Sequence, residues 1–375
     1  MPVLALAALS ARALAEAAAR DGVPAIALDV FGDTDTQNLA LEWRDIGELG
    51  VPRIDAARFL AALELLARRG DVRGWVAGSG FDGRADLIEQ GAARLPLIGT
   101  AAIDVRRVRD PHEFFRVLDR HGIGFPSIAF EMPVDPAGWL CKDAGGSGGW
   151  QVRHAAAGDR PAPGLYWQRE RPGVPMSATF VGNGRDAVLL GVNRQGTSVF
   201  GDRPFVFTRI AGPVPVPERV RRELTAIVRL LAGVFHVRGL ASLDVLLSGE
   251  AIEVLELNPR PPASLSLYPR LGAGGALAAH LRACEHDELP LPPPAAAPVR
   301  GLEILFARRA TTIDPARAGA LASLSGCCDL PRAGSRVAAR DPLCSVVAEG
   351  PDEATMNAQL DARREAVRAL LETSR

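Results

Sequence analysis

Lysine is nearly missing from this chain. Of 43 basic side chains 42 are arginine, and the exception is Lys142. Long apolar runs are missing too: none is long enough to span a bilayer, so no membrane helix is expected. No arginine-rich block stands apart from nearby acids, and the formal net charge is -1. That balance argues against nucleic acid as the main partner. The five cysteines (Cys141, Cys284, Cys327, Cys328 and Cys344) are odd in number and lack zinc-type spacing. Free thiols in a reducing cytoplasm are the simplest reading. The apolar stretch Pro2 to Leu9 has no basic segment before it, and Arg12 and Glu16 follow at once. It reads as strand then helix rather than as a signal peptide. The first turn lacks G-x-G-x-x-G, which gives a nicotinamide dinucleotide site little support.

What remains is a globular chain of 375 residues, 47% of them apolar, with enough core for two or three domains. In the first hundred residues, strands are expected at Val3 to Leu9, Val23 to Val30 and Gly74 to Gly78. Helices are expected from Ser10, as cap, to about Arg20, and over residues 56–69. This alternation, with polar and glycine residues at the strand ends, indicates an open parallel sheet. Ligands of such sheets bind beyond the carboxyl ends, near Asp29, Asp33 and Ser79. Each of the three is equally well read as a turn or cap residue.

Lys142 ends a short strand, Trp139 to Cys141, and precedes Gly145-Gly146-Ser147-Gly148-Gly149. Such a loop lets backbone N–H groups close around phosphate oxygens. It is not a Walker A loop, because the lysine comes first. The competing reading is a flexible hairpin tip. A strand leading into a turn is expected over Leu165 to Gly173, further antiparallel strands at Met176 to Val181, Asp186 to Asn193 and Phe205 to Arg209, then a helix over Glu218 to Ala232.

The strongest constellation is the apolar hairpin from Leu240 to Arg260, turning at Ser248-Gly249-Glu250. Side chains alternate along a strand, so Glu256 and Asn258 share a face. A loop with an odd number of residues would bring Asp244 to that face as well. Three oxygen donors, two of them charged, would then converge, and an incomplete set of hard oxygens suits Mg²⁺. Arg260, just beyond, is placed to clamp a phosphate or carboxylate. The competing reading is the solvated face of an amphipathic hairpin. It fits less well, because the neighbours are nearly all apolar.

In this order the pieces resemble the ATP-grasp superfamily, over roughly residues 100–290. The resemblance implies a mixed α/β and α+β chain. A Rossmann-like parallel-sheet domain would occupy residues 1–100 and a two-lobed ATP-grasp domain residues 101–289. Glu256-Leu257-Asn258 matches the family's Glu-x-Asn. Carried over, Asp244, Glu256 and Asn258 would bind Mg²⁺ bridging the phosphates of ATP, and Lys142 would contact the α- and β-phosphates. Gly145, Gly146, Ser147, Gly148 and Gly149 would form the mobile loop. Gln168, Arg169, Glu170 and Arg171 would form the hinge whose backbone recognises adenine, and Arg260 would stabilise the acyl phosphate. Three positions depart from the pattern. An early lysine of many members is missing, with Arg106, Arg107 and Arg109 as the available substitutes. Pro175 or a neighbour stands where a ribose-binding carboxylate is common, and Ser242 where an arginine often precedes the metal aspartate.

A Pro/Ala linker, Pro290 to Pro298, leads to a strand-rich tail over residues 299–375. This tail resembles the small C-terminal domain of biotin-carboxylase-like ATP-grasp proteins. More narrowly, residues 258–264 and 191–195 resemble ATP-grasp proteins of one-carbon cofactor pathways. These include ligases joining glutamate to tyrosine or tyramine for methanofuran or methylofuran, and proteins linked to tetrahydromethanopterin synthesis. The expected function is an ATP-dependent carboxylate–amine ligase acting on a small carboxylic acid and an amine. Its rivals are a degenerate nucleotide binder and a carboxylating enzyme of the biotin-carboxylase or purine-pathway type. Dimers are common in proteins of this kind.

Overall fold

The structure, a computed structural model, describes residues 2–48, 51–271, 274–294 and 297–373. Near the N-terminus the strands Glu42–Asp45, Ala25–Asp29, Val3–Ala7 and Val72–Ala77 form, in that order, a parallel sheet. The two inner strands are buried along their whole length. This explains their unbroken apolar runs, since a parallel sheet is covered on both faces. Helix Arg12–Arg20 packs its Leu14, Ala15, Ala17 and Ala18 inwards. On the other side, Phe59 of helix Ala56–Ala67 meets Trp75 and Phe81 edge-on, each at 5.1 Å between ring centroids.

Ser10 does not cap the first helix. Its hydroxyl donates instead to Asp329 Oδ1 at 3.4 Å. The helix start is served by Asp29, whose Oδ2 accepts from Ala11 N at 3.2 Å. Asp29 also accepts from Gly32 N at 2.9 Å and from Trp43 Nε1. A strand-end carboxylate thus satisfies an otherwise orphaned helix N–H. Asp29 is a buried structural residue and not a ligand group.

A small antiparallel sheet follows, in the order Ile128–Ala129, Leu165–Arg169, Trp139–Asp143, Val152–His154. The third sheet is antiparallel and eight-stranded. Its order is Ala251–Asn258, Arg238–Ser248, Val174–Asn183, Ala187–Phe200, Arg203–Gly212, Val299–Phe306, Pro342–Gly350, Cys327–Cys328. The tail therefore extends the central sheet, through pairs such as Arg209 with Glu303. Helix Glu218–Val234 buries Val220, Leu224, Ile227, Val228 and Leu231, an i, i+4, i+7 stripe against the sheet. At about 1.5–3 kcal/mol for each large apolar side chain, this stripe is a main anchor of the domain. Helix Ala276–Glu285 contributes Leu277, Ala279 and Leu281 to a second core that also holds Leu14, Leu240 and Leu302. No described helix is long and apolar enough to cross a membrane.

Candidate active site

The three sheets meet around a cleft of about 550 Å³. Lys142, Ser147, Gly148, Gly149, Gln168 to Arg171, Asp244, Glu256, Asn258 and Arg260 all border it.

Strand register places the lysine. Lys142 lies opposite Tyr166, and Gln168 is two residues further along the same strand, on the same face. Lys142 Nζ donates to Gln168 Oε1 at 3.1 Å and sits 5.8 Å from the centre of the Tyr166 ring. Burial works to strip its proton, but Tyr166, Glu256 and Asp244 outweigh that and hold its pKa above the ordinary value. The ammonium thus stays charged under the cleft floor. Because Gln168 Oε1 is committed to Lys142, its Nε2 is left as a buried donor without a partner. Arg169, Glu170 and Arg171 turn their side chains to Ala137, His154 and Glu253.

The glycine loop is folded down. Gly148 O accepts from Phe207 N at 2.9 Å. Gly149 has φ +77°, and a Cβ there would fall 1.9 Å from Phe205 O. Gly83 of the N-terminal region touches Gly145 so closely that a Cβ on Gly83 would lie 2.6 Å from its Cα. Only glycine allows these approaches.

The acidic hairpin reaches its geometry by a route the spacing did not indicate. Its turn is two residues, Gly249 and Glu250, between the paired Ser248 and Ala251. That even loop alone would set Leu255 opposite Asp244 and send Glu256 to the far face. Instead the register shifts between Val245 and Asp244: Val254 pairs with Val245, and Glu256 with Asp244. Leu255 is the extra residue of a β-bulge, a device that re-aims side chains beside active sites. Asp244, Glu256 and Asn258 thereby converge. Asn258 Nδ2 donates to Glu256 Oε1 at 3.1 Å and to Asp244 Oδ2 at 3.3 Å. Gln195 Nε2 donates to Asp244 Oδ1 at 3.1 Å. Burial and the charge of Glu256 push the Asp244 carboxyl up to about 7. Glu256 is equally desolvated, but Arg109 and Lys142 hold it below the usual carboxylate range.

Of the three arginines available in place of the early lysine, only Arg109 reaches the acidic hairpin. Arg106 pairs with Glu89, and Arg107 with Asp104 and Glu113. Arg109 Nη2 donates to Asn258 Oδ1 at 2.7 Å and to Asp82 Oδ1 at 2.6 Å. Its Nη1 lies 4.0 Å from Glu256. Arg260 Nε donates to the same Asp82 oxygen at 2.7 Å. Asp82 and Gln195 join the site without any motif that marks them in the sequence. The one available signal for Asp82 was its place just past a strand's carboxyl end. Of the two further N-terminal candidates, Ser79 borders the cleft and Asp33 does not. Asp33 is pushed up to about 8 by burial and by Asp329, Asp29 and Asp35.

The donor set fits a hard divalent cation. Two carboxylates face each other with one neutral amide N–H between them, so positive charge at that point is favoured. Among the described residues no group of three His, Cys, Asp or Glu forms a metal cluster. Asp244 and Glu256 would be the charged ligands. Asn258 could join only by presenting its oxygen, which now accepts from Arg109.

A family model of the ATP-grasp domain matches residues 108–264. No curated protein matches the sequence at a significant level. Among solved structures, the L-amino acid ligase from Bacillus licheniformis is similar over 98% of both chains, with TM-score 0.71 and 13% identity. The N5-carboxyaminoimidazole ribonucleotide synthetase from Thermus thermophilus is similar over 98% of both chains, with TM-score 0.67 and 15% identity. The biotin carboxylase from Campylobacter jejuni matches 100% of this chain and 95% of its own, with TM-score 0.73 and 13% identity. At such identities the likeness is one of fold. With its parallel N-terminal sheet, its two larger antiparallel sheets and the domain matched at residues 108–264, the chain has the ATP-grasp fold.

Proposed function

We propose that the protein is an ATP-dependent carboxylate–amine ligase that makes an amide through an acyl phosphate. The observation that carries this reading is the convergence on one cleft of Lys142 and Arg260 with Asp244, Glu256 and Asn258, the last held from behind by Arg109. A carboxylate oxygen of the acid would attack the γ-phosphorus of ATP and ADP would leave. An amine would then attack the acyl carbon, expel phosphate and lose a proton.

Lys142 would neutralise phosphate oxygens from beneath, as a buried point charge. Arg109 would supply the second cation, where many relatives carry lysine. Arg260 would face the acid and its acyl phosphate with a planar pair of donors. Asp244 and Glu256 would hold Mg²⁺, which supplies charge neutralisation for the polyphosphate when bound. The folded glycine loop would exclude water. No nucleophilic side chain is needed. Cys141 is buried and points away from Lys142 across the strand, and burial raises its thiol pKa.

For the acid and amine we propose glutamate with tyrosine or tyramine, on the resemblance of residues 191–195 and 258–264 alone. Within that stretch Asn193 serves the core: it donates to Thr179 Oγ1 at 2.8 Å and accepts from Tyr268 OH at 2.6 Å. A second reading is ATP-dependent carboxylation with bicarbonate as the acid. The likeness in fold to a biotin carboxylase and to a carboxyaminoimidazole ribonucleotide synthetase favours it. The presence of Arg109 in the site speaks against a degenerate binder. The deciding experiment is Mg²⁺-dependent ADP release with an acid and amine panel, read together with product mass. A mass of the two substrates minus water supports the ligase. An absolute bicarbonate requirement moves the assignment to carboxylation. ATP binding with no ADP release under any condition refutes both.

A further inference from the structure

We infer that Asp82 is a positioning residue: it holds the guanidinium groups of Arg260 and Arg109 in working orientation from the N-terminal domain. The role concerns the same cleft and rests on the ligase reading for the nature of the anion that Arg260 meets.

Asp82 lies past the carboxyl end of strand Val72–Ala77, in the loop Gly78-Ser79-Gly80-Phe81-Asp82. Its side chain is 3% exposed. One oxygen, Oδ1, accepts from both Arg260 Nε and Arg109 Nη2, at 2.7 and 2.6 Å, and Oδ2 accepts from Gly80 N at 3.4 Å. Burial alone would raise this carboxyl, but Arg260 and Arg109 together hold it below the ordinary range. It is therefore an anion between two cations. It does not border the main cleft, whereas Arg260 does. Buried and tied to both guanidiniums, Asp82 thus acts through the arginines.

The geometry of the guanidinium gives this contact its consequence. The group is planar, so fixing Nε fixes the plane. With Nε spent on Asp82, the Nη1–Nη2 edge of Arg260 carries no hydrogen bond to a described residue. That edge presents two parallel N–H donors, the arrangement that grips a carboxylate or phosphoryl group in bidentate fashion. Arg109 is tied more tightly. Its Nη2 bridges Asp82 and Asn258, and its buried Nε has no partner. Asp82 also screens the two guanidiniums from each other, as they would repel across the shared oxygen's position. The loop after a strand of the parallel sheet thereby sets the orientation of groups on the ATP-grasp domain.

The test uses the full chain with Asp82→Asn, Asp82→Glu, Arg260→Lys and the double variant Asp82→Asn/Arg260→Lys. Steady-state kcat and KM for the acid are measured, with the affinity for MgADP by calorimetry and folding by circular dichroism. Asp82→Asn should lower kcat/KM for the acid by about 30-fold or more, and Asp82→Glu should recover part of it. Measured at saturating MgATP, which masks the loss of nucleotide affinity through Arg109, the double variant should be no worse than about twofold below Arg260→Lys alone, because residues acting through one another do not add. Additive losses, or Asp82→Asn within about threefold of wild type, would overturn the role. If Asp82→Asn does not fold, the same cycle is run with Asp82→Glu. If wild type releases no ADP with any acid, the ligase reading falls by itself. MgADP then decides for Asp82: weaker binding in the folded variant supports the role through Arg109, and unchanged affinity overturns it.

Discussion

Replacing Asp244 by asparagine should stabilise the metal-free protein above neutral pH and remove its response to Mg²⁺. Asp244 stands opposite Glu256, and the two carboxylates share one donor, Asn258 Nδ2, at 3.3 and 3.1 Å. Burial and Glu256 push Asp244 from 3.8 to about 7. An acid with a raised folded pKa holds its proton better folded than unfolded. The resulting destabilisation is absent well below 3.8, grows as pH rises towards about 7, and is complete above that. At its limit a shift of this size corresponds to about 4 kcal/mol. Water reaching the pair from the open cleft screens it, so about 2 kcal/mol is the working figure. The asparagine variant escapes this cost but has one acceptor oxygen where aspartate has two. Either Gln195 Nε2 loses its partner or Asn258 Nδ2 keeps only Glu256, and the lost bond costs about 1 kcal/mol. The variant should therefore be about 1 kcal/mol more stable than wild type near pH 8.5 and about equal to it near pH 4.5, where roughly half of the destabilisation is already present. Thermal unfolding in EDTA at both pH values reads this difference, since the other carboxylates are common to both proteins. Mg²⁺ near pH 8.5 should raise the midpoint of wild type alone. A wild-type-to-variant difference that does not move with pH would refute the electrostatic argument. An equal Mg²⁺ response in both would refute the metal assignment.

Lys142→Met keeps the apolar stem and removes the ammonium. MgADP affinity by calorimetry should fall by about tenfold or more with an unchanged circular dichroism spectrum, and unchanged affinity would remove the lysine from the phosphate site. Glu256→Gln should reduce Mg²⁺-dependent ADP release by about 100-fold or more, whereas normal turnover would make the hairpin acids mere solvated surface. Gly83→Ala would bring a methyl group 2.6 Å from Gly145 Cα. It should displace the glycine loop and raise KM for ATP several-fold without unfolding the protein; an unchanged KM would show that this contact is dispensable.

Much of the site could be read from the chain because its chemistry is local in sequence. Lys142 and its glycine loop are contiguous, and Glu256 and Asn258 share a face by strand periodicity. The parallel sheet was likewise legible, since its inner strands are continuous apolar runs. The remainder depended on events that leave no periodic trace. The bulge at Leu255 changes which residue meets Asp244, and alternation of period two carries no mark of one extra residue. Ser10 looked like a cap, but the carboxylate of Asp29 reached the helix start from another strand. Asp82 and Arg260 are 178 residues apart and meet only because the domains pack. Among Arg106, Arg107 and Arg109, the helix pattern gave a usable hint: Arg109 follows the buried Val105 and Val108 and ends the helix before Asp110-Pro111.

The scarcity of lysine then becomes a statement about geometry. At position 109 the cation must serve Asp82, Asn258 and the neighbourhood of Glu256 at once, from the end of a helix. A rigid fork does that, and an ammonium of three mobile donors would hold the arrangement less firmly. At position 142 the requirement is the opposite. The charge must lie buried between Gln168 and Tyr166, at the end of a thin stem, and one compact head suffices. A guanidinium there would need more volume and leave buried donors unsatisfied. On the proposed reading, an arginine-rich chain could therefore exchange the first of two phosphate-facing lysines and keep the second. By this argument Arg109→Lys should be the milder change and Lys142→Arg the more damaging one, and MgADP affinities of the two variants in the reverse order would refute it.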